Sequence, residues 1–275
     1  MNSINRILIF LFFSLSFTFS FSQDLFDAKN TKEFANYLQI SKQYQLASEE
    51  YERLLFLEPN NDTIATKLFL NLRLAGNAKV VVEKCNRLFP NSDSIPAQIF
   101  NEYIKSVILE KHTNVFETIS KNKSINAQQK YYLLAYSNIS QYEWNAAFEN
   151  INKIDVQTGV IIASKNILME ASKHHYKSPL LAAALSTIVP GLGKVYTGNV
   201  KDGVIALIFV GINAFQSYRY FDKKGIKSAG GWVFGSLATG FYLGNIYGSA
   251  KAAKQKNKKN NDAYKKQLYE VFNLD

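Results

Sequence analysis

The sequence predicts an all-α chain: a helical-repeat solenoid followed by a membrane-embedded helical hairpin or three-helix module. Three observations carry that expectation. Apolar residues across positions 24–176 recur at helical spacing, with almost no glycine and few alternating β-branched stretches. Small residues return at the same offset in the first unit and in a later unit of the same stretch. Beyond it lie three apolar segments separated by turn residues, and the last holds 22 residues without a charge. At 1.5 Å per helical residue, that is enough to cross a hydrocarbon core of about 30 Å.

Charge divides the chain in the same place. Residues 23–175 carry 17 basic and 17 acidic side chains, whereas residues 176–275 carry 14 basic against 5 acidic. A basic excess confined to the apolar end points to membrane topology and away from nucleic acid. The resulting zones are residues 1–22, 23–176, 177–250 and 251–275.

The first zone has the layout of a signal peptide. Arg6 supplies one positive charge ahead of an apolar run over residues 7–21, and Ser20 and Ser22 are small residues placed for cleavage before Gln23. The run is short for a membrane span, so cleavage is the expectation, and the repeat zone beyond it is exported.

In the repeat zone, Phe34, Ala35, Tyr37 and Leu38, then Ala47, Tyr51, Leu54 and Pro59, fit two antiparallel helices with a proline stop. The small Ala35 and Ala47, one on each helix, let the two approach closely. A second unit repeats the pattern with Ala78, Val82, Cys85 and Pro90. A later one carries Ala135, Ala147, Ile151 and Ile154, its two alanines at the same offset as Ala35 and Ala47. Residues 96–122 hold a helix pair without this signature, and residues 160–175 one further helix. These positions resemble the tetratricopeptide repeat family over the greater part of the zone. The departures are Leu54 where that family prefers a small residue, a second unit three residues short, a degenerate third unit, and Gly159 in place of a closing proline. The resemblance implies a stack of helix pairs whose concave face binds peptides or proteins. Tyr37, Tyr44, Tyr131, Tyr132, Tyr136 and Trp144 read as packing between repeats, and the single cysteine, Cys85, as a buried thiol on an apolar face.

The membrane zone opens with residues 179–189, continues through Pro190, Gly191 and Gly193, and resumes with residues 203–218 and 229–250. Ser236, Gly240, Gly244 and Gly248 recur every four residues and make a small-residue stripe that permits close helix approach in lipid. A hairpin around Gly225 would set Asn213 level with Ser236, within reach of an interhelical hydrogen bond. Pro190, Gly191, Gly193, Tyr196, Gly198 and Gly203 are similar to the glycine turn of the two-transmembrane-helix domain family, a likeness confined to the first part of this zone. It carries no catalytic chemistry; it implies a sharp turn at the membrane face with Tyr196 at the interface. The third apolar segment is a departure from it.

Topology is set by charge. Three crossings place Lys194, Lys201 and the seven lysines of residues 251–266 on the cytoplasmic side, which the positive-inside rule favours. Two crossings, with the first segment re-entrant or interfacial, place those lysines outside. The lysines read first as topology determinants and second as contacts to anionic lipid. Tyr264, Leu268, Val271 and Phe272 add a short amphipathic helix that would lie on the membrane or on the protein.

His174 and His175 form no metal-ligand pattern and read as a solvated helix end, while Asp202 and Asp222 read as isolated loop acids. Gly191 and Gly193 lack the Lys-Ser/Thr ending of a phosphate loop. No catalytic constellation, cofactor motif or metal spacing emerges. The expectation is a non-enzymatic scaffold in the inner membrane, with its repeat domain exported and bound to a protein partner. A transport or channel role would need a polar path built from Asn213, Gln216 and Asn245.

Overall fold

The computed structural model describes residues 27–111 and 114–272; the expected signal peptide and its cleavage site lie outside them. The described residues are all helical apart from turns and connections, and divide into two compact units at Asn126/Ala127.

The first unit holds α1 (Ala28–Ile40), α2 (Tyr44–Leu57), α3 (Asp62–Leu74), α4 (Ala78–Leu88), α5 (Ala97–Leu109) and α6 (Val115–Lys121). Asp27 and Asn61 cap α1 and α3 through side-chain oxygens that accept backbone N–H groups. Consecutive helices pack as antiparallel pairs, and α5 lies against both α3 and α4. Ala35, Ala47, Tyr51, Leu54 and Cys85 are fully buried, so the small-residue positions fall where two helices meet. Burial pushes the Cys85 thiol up to about 12. A buried ion pair, Arg73 Nε to Glu102 Oε2 at 2.7 Å, joins α3 to α5, with Lys105 Nζ 3.8 Å from Glu102 Oε1. Neither partner could lose the other cheaply in that setting.

The second unit holds α7 (Ala127–Ser140), α8 (Trp144–Asn152), α9 (Gly159–Ser172), α10 (Pro179–Ile188), α11 (Leu192–Tyr196), α12 (Val200–Lys224) and α13 (Ala229–Phe272). Helices α7 and α8 form a pair with Ala135 and Ala147 fully buried, and α9 packs on α8. The remainder is organised by α13, a single helix of 44 residues. Its first half pairs antiparallel with α12 about a turn at Gly225, whose φ of 64° belongs to the left-handed region. Its second half packs on α9 and α7.

Two features of this unit depart from expectation. The compact unit begins at Ala127, and the basic stretch is no separate tail: it continues the membrane-zone helix without a break and lies within the unit that contains α7–α9. The first apolar segment, α10, runs antiparallel to residues 249–257 of α13, with Lys177 bonded to Asn257 and Ser186 to Ser249. It flanks the end of the α12–α13 hairpin, so the chain enters and leaves that hairpin at the same end.

Helix α12 is long and apolar enough to cross a membrane. Length and composition alone qualify this second segment. The third, α13, carries Gly230, Gly231, Gly235, Gly240, Gly244 and Gly248 in its first half and is less apolar for it.

Candidate functional site

The glycine turn is built from close backbone approaches. Gly191 adopts φ 91° and leads into α11; a Cβ there would stand 1.9 Å from the Gly203 carbonyl oxygen at the start of α12. A Cβ on Gly193 would stand 1.8 Å from the Ala182 carbonyl oxygen in α10. No side chain fits at either position, which is why α11 can tuck between α10 and α12. A hydrogen-bonded relay then ties the turn to α13. The Gly193 N–H donates to Ser186 Oγ at 3.0 Å, and the Ser186 and Ser249 hydroxyls are 2.7 Å apart. Ser249 donates to the Asn245 carbonyl at 2.8 Å, which leaves Ser186 as donor to Ser249.

Of the other residues expected in this motif, Tyr196 accepts the Ser178 N–H at 3.2 Å and lies under Lys177, whose Nζ is 4.6 Å from the ring centroid. Gly198 supplies a second left-handed turn, φ 90°, and Pro190 sits between α10 and α11.

The small-residue stripe is placed differently. A Cβ on Gly240 or Gly244 would meet nothing within 4 Å, and one on Gly248 only the Lys194 side chain. Helices α12 and α13 instead meet through Gly230, Gly231 and Gly235, against Tyr220, Phe221 and Ser217. Asn213 and Ser236 do not bond each other: Asn213 donates to the Phe209 carbonyl and Ser236 to the Trp232 carbonyl, each four residues back in its own helix. Asn245 is buried. Asp202 and Asp222 lie in the first and last turns of α12 and not in loops.

The second constellation, missed in the sequence, is the dock between α13 and α7–α9. Asn257 accepts the Lys177 N–H at 2.9 Å and donates to the Lys177 carbonyl at 2.8 Å. Asn260 Nδ2 lies 2.7 Å from His174 Nε2, so this histidine is engaged and not simply solvated. Asn261 Oδ1 accepts from Tyr176 Oη at 2.6 Å and from Trp144 Nε1 at 3.3 Å. Asp262 accepts the Tyr142 hydroxyl at 2.6 Å, and that bond, followed by burial, holds the Tyr142 phenol above its ordinary range. Lys265 donates to the Ser140 carbonyl at the end of α7.

Past Tyr264 the dock becomes apolar. Leu268 and Phe272 are fully buried, Tyr269 stacks on Tyr136 with ring centroids 4.8 Å apart, and Phe272 meets Tyr132 at 4.7 Å. The expected aromatics Tyr132, Tyr136 and Trp144 thus serve this dock, while Tyr37 is 60% exposed. A shallow groove of about 500 Å³ runs beside it, lined by Tyr142, Trp144, Ala171, Tyr176 and Asn261 among others. The amphipathic spacing at positions 264, 268 and 272 was a legible signal for the apolar end. The asparagines at 257, 260 and 261 were masked by the lysines between them.

Among the described residues, no group of three or more His, Cys, Asp or Glu side chains is placed to hold a metal. No family model, curated protein or solved structure matches the chain.

Proposed function

We propose that this chain is a membrane-anchored adaptor of the bacterial envelope. Its exported, tetratricopeptide-like repeat zone captures another envelope protein, and the α12–α13 hairpin fixes that complex to the inner membrane. The observation that carries this reading is α13, one unbroken helix shared by the hairpin and by the α7–α9 dock. Such a helix joins the hairpin to the α7–α9 layer without a flexible linker.

Two exposures support the parts. Ile205, Phe209, Ile212 and Phe215 on α12 are each more than half exposed, a surface that lipid would cover and water would penalise. Ile40 and Phe56, at the ends of α1 and α2, are 81% and 83% exposed and offer apolar contacts to a protein partner.

The test is site-specific photo-crosslinking in intact cells, with the photoreactive residue at Ile40 or Phe56 and at exposed Glu49 as the control. A discrete adduct with one envelope protein from the apolar positions, in a membrane fraction that resists alkaline extraction, is the expected result. Adducts at neither apolar position would sink the adaptor reading, and release by alkali would sink the anchor.

A further inference from the structure

We infer that α10, α11 and the first exposed turns of α13 beyond the hairpin form an interfacial collar that binds anionic lipid headgroups on the side of the membrane where α7–α9 stand. This inference rests on the hairpin being membrane-embedded.

The first observation is level. Because Ser186 meets Ser249 and Lys177 meets Asn257, α10 lies alongside residues 249–257 of α13, where the uncharged span gives way to lysines. At 1.5 Å per residue that stretch is about 12 Å long, well short of the ~30 Å hydrocarbon core and long enough to straddle its boundary with the headgroups. The second is polarity. Leu180, Leu181 and Ile188 are 80%, 46% and 77% exposed on α10, an apolar edge too short to span and too large to leave in water.

The third is charge. Lys201 opens α12, Lys251 and Lys254 are exposed on α13 at the level of α10, and Lys194 reaches alongside Gly248. Asp202 is the single acid within residues 177–261 at this end of the hairpin. An apolar edge inside a lysine ring matches the boundary between acyl chains and anionic headgroups. The dock also changes what those lysines are for. Held on the same side as α7–α9, they no longer serve the positive-inside rule for an exported domain, and lipid contact becomes their physical use.

The full-length protein, reconstituted in phosphatidylcholine vesicles with or without phosphatidylglycerol, tests this with bimane labels on L180C, I188C and F241C. The expected order of depth, read with lipids quenching at headgroup, mid-chain and chain-end levels, is Leu180 shallowest, Ile188 next and Phe241 deepest. Phosphatidylglycerol should be enriched around the protein, and each lysine at an anionic surface strengthens association about fivefold. A quadruple Lys194, Lys201, Lys251 and Lys254 to Gln variant should lose that enrichment while remaining membrane-integrated. Ile188 as deep as Phe241, both α10 labels quenched freely by aqueous iodide, or equal enrichment in the quadruple variant would each overturn the collar. Failure of the protein to remain in the vesicles under alkali is a separate result, and it strikes the anchor reading itself.

Discussion

Asn257 satisfies both backbone polar groups of Lys177, accepting its N–H at 2.9 Å and donating to its carbonyl at 2.8 Å. The pair works as a one-residue piece of ladder at the point where the α9–α10 connection passes α13. Asn257→Ala removes both bonds at once and leaves the Lys177 amide to find water in a partly buried site. The expected cost is about 1–3 kcal/mol. It should appear as a lower unfolding midpoint in detergent and as faster proteolysis at residues 173–178. Asn257→Asp keeps the acceptor and loses the donor, so it should fall between wild type and alanine.

The alkaline limb of stability should report the same dock. The Tyr142 phenol is held above its ordinary value of 10.0 by donating to the Asp262 carboxylate, with burial adding to the effect. A group whose folded value is raised contributes stability that is fully present below the unfolded value and lost as pH rises through the folded one. Tyr264 behaves likewise, raised first by burial and then by the Glu170 carboxylate. The dock should therefore hold at neutral pH and loosen above about pH 10, which Trp144 fluorescence can follow. Tyr142→Phe should flatten part of that transition. An unchanged alkaline profile in this variant would rule out the Tyr142–Asp262 bond as its source.

What the sequence made legible was whatever depends on spacing or on glycine. Ala35, Ala47, Ala135 and Ala147 are all fully buried, because a small residue at a helix crossing is a local steric demand visible in one chain. Gly191, Gly193 and Gly203 were legible for the same reason. The Ser236, Gly240, Gly244 and Gly248 stripe shows the limit of that logic. Periodicity announces a smooth face without saying what meets it, and Gly240 and Gly244 face open space. The dock was illegible because its polar half is asparagine scattered among lysines. An asparagine whose partner lies far along the chain, as Asn257 does from Lys177, leaves no periodic trace.

The glycine turn predicts a sharp intolerance. Gly193→Ala would set a methyl within 1.8 Å of the Ala182 carbonyl oxygen and against Ser186 Oγ at 2.7 Å. Since the obstacle is backbone, α10 and α11 must separate and the Gly193–Ser186–Ser249 relay must open. Overpacking of this kind costs about 1–3 kcal/mol, more where backbone has to move. Gly198→Ala meets nothing within 4 Å and carries only the strain of φ 90°, roughly 1–2 kcal/mol. Thermal unfolding of the two variants in the same detergent should rank Gly193→Ala as the more damaging, and a reversed order would contradict the tucked position of α11.

Cys85 offers a check on the first unit that needs no mutation. Its side chain is fully buried in α4, and burial raises the thiol to about 12, so almost no thiolate is present at neutral pH and none is accessible. Native protein should therefore resist Ellman's reagent, reacting only as the first unit unfolds, with one thiol released per chain along the denaturant transition. Cys85→Ser would exchange a weakly polar sulfur for a hydroxyl and should lower stability by about 1–3 kcal/mol, while Cys85→Ala costs mainly the lost volume. Rapid labelling of the native protein at neutral pH would show that α4 does not close over the thiol, and the packing of α4 on α5 would have to be redrawn.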